Sequence, residues 1–365
     1  MSALSTVYTA CPDIQVMLDD VWQTGEMIGA DERMPLMQWF MMPENRRGIV
    51  DTILPGSGKV RQVQVVYMQR LTEDQVNTDQ ANPNCTQGED QGDLNTTYTL
   101  DTSQNIQTKG FSLNAEELEQ VCRDNGRLFN ELVQRDMDVL RRAVASETAT
   151  QAVALTGGWS TFVPSGSTPG TLNGNDQLIT RTLNSDGTPY APGWVNIENA
   201  TRDSGFGDQL FIVGGTTMRQ FAQMSLAGCC ANSGWDIGRL YQQYGKAFAH
   251  DVRVQTALGA GTFANGANEY MIIRPGALQL LNYTRSPWKN GFPPQIDASA
   301  NYFHGVVVDP MTGVAYDVTM KDDCGAVIFN LTWTGKVIGL PNDMFATGDP
   351  YEGITGVAQG IVVNP

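Results

Sequence analysis

The amino-acid sequence predicts an α+β fold in which one long helix stands among short strands. Apolar residues recur at every third or fourth position from Asn114 to about residue 147, which is typical of a helix with one buried face. Runs rich in β-branched residues precede and follow this segment, as is typical of strands. With 365 residues the chain exceeds the usual size of one core, so we expect two domains, or one domain with large extensions.

The composition limits the classes of function. Apolar residues make up 41% and charged residues 17%, which indicates a folded protein. The net charge of −16 argues against tight binding of nucleic acid, because nucleic-acid binders concentrate Lys and Arg. No run reaches the roughly 18 apolar residues of a membrane helix, and no signal-peptide pattern is present. The six widely spaced cysteines are expected to be free thiols.

Residues 1–45 are predicted to form an extended or irregular arm, because three prolines interrupt the segment. Large apolar side chains follow one another near its end, at Trp39, Phe40 and Met41. Met and aromatic side chains adapt to irregular surfaces, including those of partners. These three residues are therefore candidate assembly contacts. An ordinary small core near the terminus explains them equally well.

A β region with the pattern of a long hairpin covers residues 46–110. Strands are expected at 48–54, 60–71, 96–100 and 105–108, the last two forming the returning side. The stretch 72–95 carries six acidic residues and is predicted to be a projecting loop. A hairpin of this length cannot bury itself, so it needs a neighbour to lie on.

The long helix has clear start and stop signals. Asn114 can cap its first turn, and Glu117 three residues later completes a capping box. Oppositely charged residues follow at i,i+4 spacing as Glu119–Arg123, Glu131–Arg135 and Asp138–Arg142. The pattern fades through an Ala-rich stretch and stops at Gly157. Broken heptads exclude a coiled coil, so the helix is expected to lie across a flat surface.

The rest of the chain alternates between loops and short elements. Residues 157–205 are predicted to be mostly loop, because Gly, Pro, Ser, Asn and Asp are frequent there. We expect strands at 209–213, 270–273, 305–308, 314–319, 326–332 and 336–340, and helices at 216–226 and 275–281. A turn at 311–313 would join two of these strands in a hairpin.

Several enzyme-like motifs fail on spacing or context. The Gly56–Lys59 segment lacks the first glycine of a phosphate loop and leads into a strand. Ser204 lacks the glycine two positions earlier that a nucleophile elbow needs. Only two histidines are present, and there is no Cys-x-x-Cys or His pair at helical spacing. We therefore expect no catalytic, cofactor-binding or metal-binding residues.

The order of arm, long hairpin, long helix and mixed α/β region resembles the major capsid proteins of tailed bacteriophages. Their fold, also called the Johnson fold, is shared with encapsulins. The resemblance implies five consecutive segments. They are an N-terminal arm (1–45), an extended β-hairpin or E-loop (46–110), a peripheral domain with a spine helix (111–158), an axial domain (159–320) and a return to the peripheral domain (321–365).

The resemblance implies a structural, non-enzymatic protein that self-assembles into an icosahedral shell around a double-stranded DNA genome. An acidic wall suits this role, because it keeps the enclosed DNA mobile. An encapsulin-like compartment is the alternative within the same fold. A soluble hydrolase or carbohydrate-binding protein with an atypical site is the alternative from another class.

The implied partners are other copies of the chain, arranged as hexamers and pentamers. A separate scaffolding protein, a portal and decoration proteins are further expected partners, without a membrane or sequence-specific DNA contacts. The location would be the virion, after assembly in the host cytoplasm. Some relatives crosslink subunits through a hairpin lysine, so Lys59 is a candidate contact, as is Cys85 for an intersubunit disulfide. An ordinary surface lysine and a free thiol are the alternatives.

Overall fold

The structure is a computed structural model. It describes residues 34–42, 52–54, 61–68, 93–100, 105–114, 116–117, 120, 127–156, 177–181, 210–217, 246–261, 266–284, 302–309, 311–323, 326–339 and 356–363. The helices are α1 (Pro35–Met41), α2 (Arg127–Ala154) and α3 (Val252–Gly259). The strands are β1 (Thr52–Leu54), β2 (Arg61–Met68), β3 (Asp93–Leu100), β4 (Asn105–Gln107), β5 (Phe111–Leu113), β6 (Gln177–Arg181), β7 (Leu210–Gly214), β8 (Lys246–His250), β9 (Glu269–Ile273), β10 (Leu278–Tyr283), β11 (Tyr302–Val308), β12 (Ala315–Asp323), β13 (Ala326–Gly339) and β14 (Val357–Val363).

Helices and strands are mixed along the chain, which confirms the predicted α+β class. The strands form sheets with the orders β1-β2-β3, β10-β13-β12-β11 and β6-β14-β9-β7-β8. Strands β4 and β5 also pair with β13. The contacts divide the chain into two compact units, each built from separated segments. Unit 1 comprises Met1–Met37, Leu100–Glu147 and Leu281–Lys336, and unit 2 comprises Gln38–Thr99, Thr148–Leu280 and Val337–Pro365.

Strand β13 is the centre of its sheet. It is 14 residues long and pairs antiparallel with β12 along one side and with β5 and β4 along the other. Phe329, Leu331 and Trp333 alternate along it and are fully buried, as the period of two in a strand requires. The sequence predicted two separate strands here, but the chain continues through Gly335 as one strand.

The pairing of β4 corrects the predicted hairpin. Residues 105–108 were expected on its returning side, yet Asn105–Gln107 pairs with Thr332–Thr334 in the β13 sheet. Thr108 continues this contact, since its hydroxyl accepts from the Leu331 amide at 3.1 Å. The predicted strand at 60–71 is confirmed as β2, which lies between β1 and β3. Strand β3 begins at Asp93, inside the stretch predicted to be a loop, whose residues 72–92 lie outside the described part.

The long helix is confirmed, with shifted bounds. The Asn114 side chain accepts from the Glu117 amide at 2.9 Å, and the Glu117 carboxylate accepts from the Asn114 amide at 2.9 Å, so the capping box forms as predicted. Residues 116–117 and 120 are helical, and α2 then covers 28 residues, about 42 Å at the α-helical rise. It ends just before Gly157, at the predicted stop.

In unit 2 the central strand of the sheet is β9, and β9 and its neighbour β7 consist entirely of buried residues. Strand β7 pairs antiparallel with β9 and parallel with β8, and β14 pairs antiparallel with β9 and parallel with β6. The strands predicted at 209–213 and 270–273 are thereby confirmed as β7 and β9. Helix α3 was not predicted, although Asp251 caps it by accepting from the Arg253 amide at 2.9 Å, and Val254 and Leu258 are buried at helical spacing.

Two further predictions are wrong. The helix expected at 275–281 is a turn followed by β10, because Gly276 adopts a φ of +79°, which is incompatible with a right-handed helix. The segment around residue 38, expected to be irregular, forms helix α1, because Leu36, Met37 and Phe40 recur at helical spacing and are buried. The helix predicted at 216–226 is described only at residues 216–217, which are helical.

Candidate functional site

Helix α2 has two faces of different character. The buried face carries larger apolar side chains in its first part and alanines toward the C-terminus: Phe129, Val133, Met137, Leu140, Val144, Ala145, Ala149 and Ala152. At its start, the Phe129 ring lies 5.8 Å from both the Phe111 and Phe329 ring centroids, so the helix packs on strands β5 and β13 in unit 1. The exposed face carries Glu131, Arg135, Val139, Arg142, Ser146 and Thr150.

The exposed face combines paired charges with one apolar side chain. Arg142 lies 2.7 Å from Asp138, the predicted i,i+4 pair, and Arg135 lies 3.4 Å from Asp136. Val139 is 49% exposed between them. A mixed face of this kind is compatible with contacts to another protein, because its charges are partly satisfied within the helix itself.

Arg141 is a charged residue that lies buried on α2. Its guanidinium binds Asp309 in a bidentate manner, with Nε donating to Oδ2 at 2.6 Å and Nη2 donating to Oδ1 at 2.8 Å. The Arg141 side chain is 3% exposed and the Asp309 carboxylate is fully buried. Such fork-to-fork geometry fixes both distance and direction, which an apolar contact does not.

The turn between β11 and β12 completes the coordination of the Asp309 carboxylate. The Met311 amide donates to Oδ1 at 3.0 Å, and the Thr312 hydroxyl donates to Oδ2 at 2.7 Å. The Gly313 amide donates to the Asp309 carbonyl at 2.7 Å, with Gly313 in the left-handed region at a φ of +69°. This confirms the predicted hairpin and its turn. We call Arg141, Asp309 and Thr312 the helix–turn anchor.

Tyr316 lies beside the helix–turn anchor on β12. Burial raises the pKa of its phenol, and the negative charge of Asp309 raises this pKa further. The phenol is therefore protonated throughout the physiological range. The anchor consists of a satisfied ion pair in a closed, buried position, so its geometry favours a structural role over chemistry on a substrate.

The predicted assembly contacts near the amino terminus fall mostly inside the chain's own core. Trp39 is 5% exposed, and its ring stacks on Phe211 with centroids 5.4 Å apart and planes 11° apart. Phe40 is also buried, and Met41 is half-buried. The structure thus favours the alternative of an intrachain core for Trp39 and Phe40. Lys59 and Cys85 lie outside the described residues.

The described residues hold little that resembles an enzyme site. His250 Nε2 lies 3.2 Å from the amide oxygen of Gln255, which also accepts from the Thr216 hydroxyl at 3.1 Å. No group of three or more His, Cys, Asp or Glu side chains suited to a metal ion occurs among the described residues. None of the helices in these ranges is long and apolar enough to cross a membrane. The motifs at Gly56–Lys59 and Ser204 lie outside the described residues.

The helix–turn anchor was not predicted from the sequence, although one signal was present. Arg141 stands three residues before Val144 and four after Met137, on the apolar face of the helix. An arginine in such a position requires a buried acid. Its partner is 168 residues away in sequence, and no local pattern identifies that partner.

Comparisons with known proteins found similar structures of capsids and encapsulins. The capsid asymmetric unit of cyanophage A-1(L) is similar over 92% of this chain and 94% of that chain, with 10% identity and a TM-score of 0.45. The holo-SrpI encapsulin complex from Synechococcus elongatus PCC 7942 covers 84% of this chain and 83% of that chain, with 8% identity and a TM-score of 0.41. The procapsid of satellite phage P4 is similar over 95% of this chain and 99% of that chain, with 9% identity and a TM-score of 0.35.

No protein-family model and no curated protein matches the chain. The TM-scores of the three structures are all below 0.5.

Proposed function

We propose that this chain is a structural shell subunit, the major capsid protein of a tailed bacteriophage. The observation that carries the proposal is the succession of two paired strands, β2 and β3, separated by an acidic stretch, and a 28-residue helix packed by one face on a sheet of its own chain. This is the order of hairpin extension and spine helix that the resemblance implies.

The pairing of β13 supports the proposed layout. The strand belongs to the last part of the chain, yet it pairs with β4 and β5, which stand between the hairpin and the long helix. A final return of the chain to the helix-bearing domain requires such a pairing. The buried anchor between Arg141 and Asp309 ties α2 to the same sheet.

Self-association is the proposed mechanism. A hairpin of this length becomes stable when it lies on a neighbour, and repeated contacts of this kind close a symmetric shell. In the proposed capsid the subunits form hexamers and pentamers. A scaffolding protein, a portal and decoration proteins are separate partners, and Lys59 and Cys85 remain candidate contacts between subunits. The shell encloses DNA without reading its sequence, in keeping with the net charge of −16.

Electron microscopy tests the proposal directly. The full chain, expressed alone or with a scaffolding protein from the same source, is expected to elute in the void volume of a gel-filtration column and to show closed particles in negative stain. A monodisperse monomer without particles under both conditions would contradict the proposal and favour a soluble hydrolase or carbohydrate-binding protein.

The contents of particles from the native source distinguish the two kinds of shell. A capsid is expected to contain double-stranded DNA that is protected from nuclease. It is also expected to be part of virions that are assembled in the host cytoplasm. A protein cargo in place of DNA would identify an encapsulin-like compartment instead.

A further inference from the structure

The C-terminal part of the buried face of α2 contains few apolar features that define one position along the helix axis. The buried residues after Val144 are small: Ala145, Thr148, Ala149 and Ala152. Apolar packing is non-directional, and a small-residue face presents nearly the same shape after a shift of one turn, about 5.4 Å. Apolar burial at this end of the helix therefore contributes little to fixing its register.

Two polar contacts give α2 a direction: the helix–turn anchor within unit 1, and the Gln151 amide oxygen, which accepts from the Val337 amide at 2.8 Å, within unit 2. The bidentate contact of the anchor has donor–acceptor distances of 2.6 and 2.8 Å and forms in one register only, because a shift of one turn would leave the buried Asp309 carboxylate without its arginine. Asp309 is itself held by the Met311 amide and the Thr312 hydroxyl, so its carboxylate cannot follow a shifted helix.

We propose that the Arg141–Asp309 pair is a register lock that sets the position of α2 on its sheet and thereby the surface that α2 presents to neighbouring subunits. The last part of this inference rests on the proposed shell function. A shell repeats one contact many times, so a helix that populates two registers would expose Arg135, Val139 and Arg142 in two positions. Particles would then differ in curvature and size.

Removing the pair should change the register of α2 more than the stability of the fold. A buried ion pair specifies geometry but adds little to the net free energy of unfolding. In the double variant Arg141→Met and Asp309→Asn both charges are removed, while the amide oxygen of the new side chain can still accept from the Met311 amide. We expect an unfolding midpoint within about 2 °C of the wild type. The single variant Arg141→Met leaves a buried unpaired carboxylate and should lower the midpoint by about 5 °C.

Particle size is the decisive measurement. The double variant is expected to form particles whose diameters scatter at least twofold more widely than those of the wild type in cryo-electron micrographs. Particles as uniform as the wild type would overturn the inference. So would a double variant as unstable as Arg141→Met alone, since the pair would then act through stability and not through register.

An exposed arginine on the same helix provides the matched control. Arg142→Met removes an arginine that is 47% exposed and lies 2.7 Å from Asp138, and it leaves Asp138 in place because that carboxylate also lies 3.8 Å from Arg141. Uniform particles are expected from this control. An equal loss of uniformity would contradict the lock, because surface charge would then be responsible.

A wild-type chain that forms no particles would contradict the proposed shell function but would still allow a test of the lock. The buried Met137 methyl group on α2 then reports register by nuclear magnetic resonance in the monomer. We expect one Met137 signal in the wild type and more than one in the double variant. A single signal in both proteins would overturn the inference.

Discussion

At the scale of single residues, two buried aspartates differ in how their charge is satisfied. Asp309 receives hydrogen bonds from Arg141, Met311 and Thr312. Asp136, on α2, is nearly as buried, but Arg135 beside it lies 3.4 Å away and is 59% exposed. Burial raises the pKa of the Asp136 carboxyl, and Arg135 opposes this shift by its charge and hydrogen bond.

The raised pKa of Asp136 predicts a pH-dependent stability. Because the folded chain holds this proton more tightly than the unfolded chain, the free energy of unfolding falls as the pH rises from the ordinary pKa of 3.8 through the higher folded-state pKa. Asp136→Asn should therefore stabilise the protein at pH 7 by up to about 1 kcal/mol. The gain should shrink as the pH falls toward the ordinary value of 3.8, as measured by thermal unfolding.

Asp138→Asn on the same helix is the control, because it removes the partner of Arg142 and should slightly lower the unfolding midpoint at pH 7. A lower unfolding midpoint for Asp136→Asn at pH 7 would contradict the prediction. It would show that the contact of the Asp136 carboxylate with Arg135 stabilises the fold more than the burial of this charge destabilises it.

At the scale of elements, glycines in the left-handed region decide where strands begin and end. Gly276 has a φ of +79°, a Cβ added there would meet no atom within 4 Å, and its turn replaces the helix that the sequence predicted. Gly110 has a φ of +70° between β4 and β5, and a Cβ there would overlap the Phe329 carbonyl oxygen. Gly276 is therefore needed only for its backbone conformation. Gly110 is needed both for its backbone conformation and for the close approach of the chain to β13.

This difference predicts unequal costs for the same substitution. Gly276→Ala should destabilise by about 1–2 kcal/mol, the cost of a left-handed alanine, and Gly276→Asn should recover much of that loss because Asn tolerates this conformation. Gly110→Ala should cost clearly more, because β13 has to move. Chemical denaturation measures all three variants, and equal losses at the two glycines would contradict the argument.

At the scale of the whole molecule, stability and assembly should depend on different parts of the chain. The stretch 72–92 carries five acidic residues between β2 and β3, and in the proposed shell it contributes contacts to a neighbour. The folded core rests on the sheets around β13 and β7.

Replacing residues 72–92 by a Gly/Ser segment of equal length should therefore give a folded subunit that forms no particles. The expected unfolding midpoint lies within about 2 °C of the wild type, because a segment so poor in apolar residues has little to contribute to a core. Cys85→Ser alone is the control for loss of the thiol and should assemble. Wild-type-like particles from the replaced chain would contradict the proposed role of the segment.

Much of the local structure could be predicted from the sequence. The capping box at Asn114 and Glu117, the hairpin closed at Gly313 and the buried strands β7 and β9 all follow from patterns within a few residues. Local hydrogen bonding and periodic burial act over these distances, so neighbouring residues determine them.

The tertiary structure alone decided how distant segments meet. Thr108 pairs with Leu331 across 223 residues, and Arg141 with Asp309 across 168. Trp39 is buried against Phe211, although its side chain suits a partner's surface equally well. The periodicity of apolar residues indicates that a face is buried, but it does not indicate which segment covers that face. Apolar burial is non-directional, and any apolar surface of suitable shape can provide it. The sequence by itself therefore determined which faces are buried and where α2 is capped, whereas the folded chain determined their partners.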